Sequence, residues 1–186
     1  MLNLPNLLSI VRVVFLIPFI YFLQQESYGW AFVILVLAGF TDAVDGAMAR
    51  LLHQRTVFGA YLDPAADKIL MTCSYIALSS FGLLPWWLTL LVIGRDVVIV
   101  LGVIFLRLLS RPVEARPSAA SKVTTCLQIA TIAAPLFSLS LYPSSWLTGG
   151  LTVATAVGTV ISGMQYIGRG VQVLIRGPAE SSHPGR

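Results

Sequence analysis

Charge is scarce in this chain, and negative charge most of all. Its 186 residues hold eight Asp and Glu, twelve Lys and Arg and two His, and charged residues are 11% of the total. A soluble domain carries about 25% charged residues, so a water-solvated globular surface is excluded. Two cysteines cannot supply a disulfide framework. Cys73 and Cys126 match no metal-ligand spacing, lie in apolar runs, and are expected to pack inertly. His53 and His183 are too few and too far apart to form an imidazole cluster and are expected to be solvated. No internal repeat and no low-complexity tract is present. Residues 1–5, Met-Leu-Asn-Leu-Pro, lack a basic leader, so a cleaved signal peptide is not expected.

What fills the chain instead is apolar sequence, 56% of it hydrophobic. Runs of about 20 residues, long enough to cross a bilayer, recur near 6–23, 29–51, 62–81, 86–106, 121–141 and 147–169. Turn signals separate them: Ser27-Tyr28-Gly29, Gly82 with Pro85, Arg111-Pro112 with Arg116-Pro117, and Tyr142-Pro143-Ser144-Ser145. The expected fold is all-α, a membrane bundle of six transmembrane helices forming one domain over residues 1–176. Residues 177–186 read as a disordered tail. Trp30, Trp86, Trp87 and Trp146 fall at span ends and read as an interfacial belt. Gly149, Gly150, Gly158 and Gly163 suggest close helix packing in the last span, at a dimer interface if one forms.

The cations set the orientation. Arg50, Arg55 and Lys68 flank the second connection, Arg107, Arg111, Arg116 and Lys122 the fourth, and Arg169, Arg176 and Arg186 follow the sixth span. The first, third and fifth connections have no Lys or Arg. The positive-inside rule then puts both termini and the even connections in the cytoplasm. The net charge of +4 is mainly this topology signal, and nucleic-acid binding is not expected.

Against this background, half of the acids fall between residues 42 and 67. Asp42 and Asp45 are spaced i,i+3, and Asp63 and Asp67 are spaced i,i+4. On helices each pair projects from one face. Asp42 lies 13 residues beyond Gly29, roughly 20 Å along a helix, and Asp67 lies 14 residues before Phe81, roughly 21 Å. Two antiparallel neighbouring spans would bring Asp42 level with Asp67 and Asp45 level with Asp63. Carboxylates in a membrane are costly unless they bind something. Four that face each other imply one or two divalent cations, and all-oxygen ligands suit Mg²⁺ or Mn²⁺. Gly46 and Gly59 leave room for a bulky ligand, and Arg50, two turns beyond Asp42, can reach a phosphate. Arg95 and Asp96 are mid-span. Adjacent residues on a helix diverge, so separate partners are expected for them, either in packing or at the site. Arg12, early in the first span, either snorkels to the interface or reaches substrate phosphates.

The acids belong to a longer pattern, D-x2-D-G-x2-A-R-x8-G-x3-D-x3-D, complete from Asp42 to Asp67. It resembles the signature of the CDP-alcohol phosphatidyltransferases. Residues 4–12 (Leu-Pro-Asn-Leu-Leu-Ser-Ile-Val-Arg), residues 62–68 (Leu-Asp-Pro-Ala-Ala-Asp-Lys), Arg95-Asp96 and residues 121–125 (Ser-Lys-Val-Thr-Thr) are similar to the glycerol-acceptor branch of that family. The resemblance implies six transmembrane helices, a homodimer, and transfer of a phosphatidyl group from CDP-diacylglycerol to an alcohol with release of CMP. It implies that Asp42, Asp45, Asp63 and Asp67 are metal ligands. It further implies that Asp45, Gly46, Arg50 and Gly59 line the CDP site and that Asp67 is the general base. Two acceptors fit. Glycerol-3-phosphate would give phosphatidylglycerophosphate, with Arg111 and Lys122 as its phosphate contacts. Phosphatidylglycerol would give cardiolipin, and Arg95-Asp96 is more similar to that second group than to the Arg-Glu of the first. A divalent-cation transporter is the remote alternative, weakened because the acids cluster at one depth. A bacterial inner membrane, with the site facing the cytoplasm, is the expected location.

Overall fold

A computed structural model describes residues 13–51, 59–109 and 119–176; at 42–51, 59–66, 107, 119 and 176 it describes the backbone only. The described residues form six helices and no strand. They are α1 (Leu16–Gln24), α2 (Tyr28–Leu51), α3 (Gly59–Ser80), α4 (Trp86–Leu108), α5 (Ala119–Ser140) and α6 (Ser145–Arg176). The described residues are therefore all-helical, as the apolar runs imply. Among the described residues, α4, α5 and α6 are each long and apolar enough to cross a membrane, and a shorter apolar helix runs over Tyr28–Thr41. The helix α3 carries Asp63, Asp67 and Lys68 in its first three turns, which dilutes its apolar character. At 32 residues, α6 outruns the expected 147–169 at both ends. The whole of the expected tail, residues 177–186, lies outside the described residues, as do residues 6–12 of the first expected span.

Two turns between helices share one geometry. After α3, Gly82 takes φ +71°, its N–H donates to the Ser79 carbonyl at 3.1 Å, and the Leu83 N–H donates to the Leu78 carbonyl at 2.8 Å. This is a Schellman motif, with glycine at the left-handed position it favours. After α1 the same pair of bonds runs from Glu26 to Leu23 at 3.1 Å and from Ser27 to Phe22 at 2.9 Å. There the left-handed residue is Glu26, at φ +53°. The turn signal therefore sits one residue before the Ser27-Tyr28-Gly29 run that the sequence advertises.

The helices enclose a core of Leu16, Phe19 and Leu23 from α1, Ala31 from α2, and Tyr75, Ala77 and Leu78 from α3, closed by Leu88 and Val92 of α4 and Ile132 and Leu136 of α5. Within the bundle α5 is central, touching α2, α3 and α6, and α6 also lies along α4. The seam between α5 and α6 reverses the soluble pattern. Its buried residues are polar, with Thr124, Gln128 and Thr131 on α5 opposite Thr152, Thr155, Thr159 and Ser162 on α6. The outward residues of α6 are apolar, Val153, Val157, Ile161 and Met164 among them. Hydrocarbon rewards this inversion, because an apolar surround gives no hydrophobic drive for helix association and leaves small-residue packing and interhelical hydrogen bonds to do it.

The bonds are present. Thr131 and Thr155 hydroxyls lie 2.6 Å apart, and Thr131 Oγ1 also donates to its own helix at Leu127. Thr124 Oγ1 donates to the Gly158 carbonyl across the seam at 3.0 Å. A Cβ added at Gly158 would lie 3.3 Å from Thr124 Oγ1 and 3.4 Å from Leu127 Cδ1, so glycine sets this close approach. A Cβ at Gly163 would meet the Arg95 side chain at 3.6 Å, while one at Gly149 or Gly150 would meet nothing within 4 Å. Gly158 and Gly163 thus serve packing inside the chain. Trp30, Trp86, Trp87 and Trp146 are all exposed, and Trp30 stacks on Phe22 at 6.1 Å between ring centroids. Cys73 is half-buried, but Cys126 is exposed, so packing within the chain does not occupy it.

Glu26 is the strained point of this frame. Replacing it with glycine removes a left-handed penalty of about 1 kcal/mol. Glu26→Gly is expected to raise the thermal unfolding midpoint in detergent by about 2–4 °C. An unchanged or lower midpoint would show that the Glu26 backbone carries no such strain.

Candidate active site

The signature pattern occupies the second half of α2 and the first half of α3. Asp42, Asp45, Gly46 and Arg50 lie on continuous α2, so the i,i+3 spacing of the two acids places them on one helix face. Gly59 begins α3, and Asp63 and Asp67 follow one turn apart on one α3 face, about 6 Å along the axis. The side chains of Asp42, Asp45, Arg50 and Asp63 lie outside the described residues, and so does the expected convergence of the four carboxylates. Asp67 is on the surface of α3. Of the two expected acceptor contacts, Lys122 is exposed in the first turns of α5, and Arg111 lies outside the described residues. Among the described residues no three His, Cys, Asp or Glu come close enough to hold a metal ion.

The structure adds a polar assembly beside this motif. Arg95, on α4, has only 7% of its side chain exposed. Its Nη1 donates to Asp96 Oδ1 at 2.7 Å, and its Nη2 donates to Ser121 of α5 at 2.9 Å and to Ser162 of α6 at 2.6 Å. The other carboxylate oxygen, Asp96 Oδ2, pairs with the ammonium of Lys68 on α3. Arg95 and Asp96 thus bind each other, which the divergence of adjacent helical positions argues against. The long Arg side chain overcomes that divergence by folding back along α4. Each residue also has the separate partner the sequence calls for, so one guanidinium and one carboxylate tie α3, α4, α5 and α6 together.

Ser162 carries no sequence signal, being an isolated polar position in an apolar run. Ser121 sits in a segment noticed only for its resemblance to the family. Lys68 reads in the sequence as a topology charge. In the structure it is the cation next in the chain to Asp67 and is held by an acid from another helix.

The geometry defines a helical membrane protein with charged groups of both signs inside an apolar bundle. A family model described as CDP-alcohol phosphatidyltransferase matches residues 2–161. The cardiolipin synthase (CMP-forming) of Rattus norvegicus is 33% identical over 197 residues, covering 94% of this chain and 64% of that protein. A probable phosphatidylglycerophosphate synthase of Mycobacterium tuberculosis is 36% identical over 181 residues, covering 91% of this chain and 82% of that protein. A putative cardiolipin synthase of the same organism is 41% identical over 96 residues, 51% of this chain and 46% of that protein. The chain belongs to the CDP-alcohol phosphatidyltransferase family. It spans less than two thirds of the cardiolipin synthases it is compared with here.

Removing the Arg95 guanidinium would leave Asp96 with Lys68 and break the bonds to Ser121 and Ser162. Breaking a buried pair from one side costs about 3–5 kcal/mol. Arg95→Met is therefore expected to lower the thermal midpoint in detergent by at least about 6 °C. A midpoint equal to that of the parent protein would show that the four-helix tie is not structural.

Proposed function

We propose that this chain transfers the phosphatidyl group of CDP-diacylglycerol to glycerol-3-phosphate, releasing CMP and forming phosphatidylglycerophosphate. The observation that carries the reading is the complete eight-position pattern from Asp42 to Asp67, set on α2 and α3 inside the family match. The chain spans 82% of the phosphatidylglycerophosphate synthase relative, which supports this acceptor. The family match also favours transfer chemistry over cation transport. The protein works as a six-span homodimer in a bacterial inner membrane, with its site on the cytoplasmic side.

The donor set fits a hard divalent cation. Asp42, Asp45, Asp63 and Asp67 offer only carboxylate oxygen, two on one face of each helix, and Mg²⁺ or Mn²⁺ takes such ligands. Bound there, the ion would neutralise the diphosphate and stabilise the departing CMP phosphate. The chain's own residues do the rest. Arg50 binds the diphosphate as a charge-assisted donor. Gly46 and Gly59 let the cytidine half approach the backbone, with Asp45 alongside. Asp67 takes the proton of the acceptor hydroxyl. The freed oxygen attacks the lipid-side phosphorus, the bond from that phosphorus to the bridging oxygen breaks, and CMP leaves with the electron pair. Lys122 and Arg111 hold the acceptor phosphate.

A second reading takes phosphatidylglycerol as acceptor and cardiolipin as product. It is favoured by Asp96 following Arg95 and by the cardiolipin synthase that covers 94% of this chain.

Purified protein with CDP-diacylglycerol and Mg²⁺ tests both. CMP release with glycerol-3-phosphate alone is the expected outcome. Release with phosphatidylglycerol alone would establish the second reading, and release with neither would end both. Asp67→Asn is expected to cut turnover by about 10²–10⁴-fold, the usual contribution of a general base, while CDP-lipid binding stays near that of the parent protein. Turnover within a few-fold of the parent would remove Asp67 from that role.

A further inference from the structure

The four-helix tie contains two cations that differ in one respect. Arg95 is 7% exposed and committed to three partners. The Lys68 side chain is 48% exposed, and its contact given by the structure is the one to Asp96 Oδ2. The carboxylate between them is 15% exposed and uses a different oxygen for each. If Lys68 leaves, Asp96 keeps its bond to Arg95 and is not orphaned. The cost of an unpaired buried charge, which makes most buried ion pairs hard to open, is therefore small on the lysine side. Lys68 is also the residue after Asp67, the base proposed for the acceptor hydroxyl.

We propose that Lys68 is a phosphate-binding residue of the acceptor site, and that Asp96, anchored by Arg95, is its resting counter-ion and a positioning residue. The inference rests on the phosphatidyltransferase reading above and adds a third cation to Lys122 and Arg111 at the acceptor's phosphate. An arriving phosphate takes over the ammonium from Asp96 as a charge-assisted partner. When it leaves, Asp96 neutralises the ammonium again, so no bare cation stays inside the bundle. Competition with a carboxylate favours a doubly charged phosphate monoester over the singly charged diester of a lipid headgroup.

The experiment uses the full-length protein and the variants Lys68→Met, Lys68→Arg and Asp96→Asn. Steady-state CMP release gives KM for the acceptor and for CDP-diacylglycerol separately. Lys68→Met is expected to raise the acceptor KM about tenfold to a hundredfold, as loss of a charge-assisted hydrogen bond does, with KM for CDP-diacylglycerol within about threefold of the parent's and Lys68→Arg restoring most of the loss. A rise with glycerol-3-phosphate assigns the site to a free phosphate monoester, and a rise with phosphatidylglycerol to a lipid headgroup. Asp96→Asn is expected to tighten inhibition by inorganic phosphate several-fold, because the competing carboxylate is gone. A merely structural Asp96 cannot improve anion binding. If the parent turns over normally and Lys68→Met leaves the acceptor KM unchanged, or raises both KM values alike, the inference is overturned while the function stands. If the parent releases no CMP with either acceptor, calorimetric titration with inorganic phosphate still decides. Binding lost in Lys68→Met supports the site, and equal or absent binding in both proteins removes it. The Lys68 side chain, about half exposed, keeps the test open through Lys68→Met should Asp96→Asn fail to fold.

Discussion

One guanidinium organises the described bundle. Arg95 is placed in the middle of a 23-residue apolar helix, where an uncompensated charge is costly. The fold meets that cost by bringing an acid from the same helix and hydroxyls from two others to its nitrogens, and the acid carries the link on to α3. Apolar packing alone would leave four greasy cylinders free to rotate and slide, since lipid competes for every apolar contact. The polar partners have direction. They fix the rotation of α5 and α6 against α4, and the resting Lys68–Asp96 contact holds the half of α3 that carries the signature acids beside α4.

Much of the architecture was legible because bilayer thickness quantises apolar runs. The 121–141 run became α5 at Ala119–Ser140, and the 86–106 run became α4 at Trp86–Leu108. The charged face was also legible, since an Asp pair at i,i+3 or i,i+4 can share a helix face whatever surrounds it. The buried seam was not. Thr124, Thr131, Thr155 and Thr159 look like ordinary members of apolar runs, and nothing in their spacing says which of several faces turns inward when both lipid and core are apolar. Glycines gave a partial signal. Gly158 and Gly163 mark contacts with α5 and with Arg95, but Gly149 and Gly150 read the same and touch nothing nearby.

The Arg95-Asp96 pair shows why local rules mislead at such sites. Helical geometry says that neighbours point apart, and at Cβ they do. A side chain as long as arginine's ends far from its own Cβ, and inside an apolar bundle the nearest carboxylate draws it back. The same length explains Lys68, which reaches from α3 to α4 with its head still partly exposed. Chain adjacency to Asp67 was visible in the sequence, whereas the acid that holds the lysine comes from another helix 28 positions later.

The length of α6 has a consequence of its own. Its 32 residues rise about 48 Å, against a hydrocarbon layer of about 30 Å. Its first half is tied into the bundle by the Thr131–Thr155 contact and its middle by Ser162. The helix is about 18 Å longer than the hydrocarbon it would cross, and Arg169 lies in its last turns. Tilt, or helix standing outside the hydrocarbon, takes up the difference.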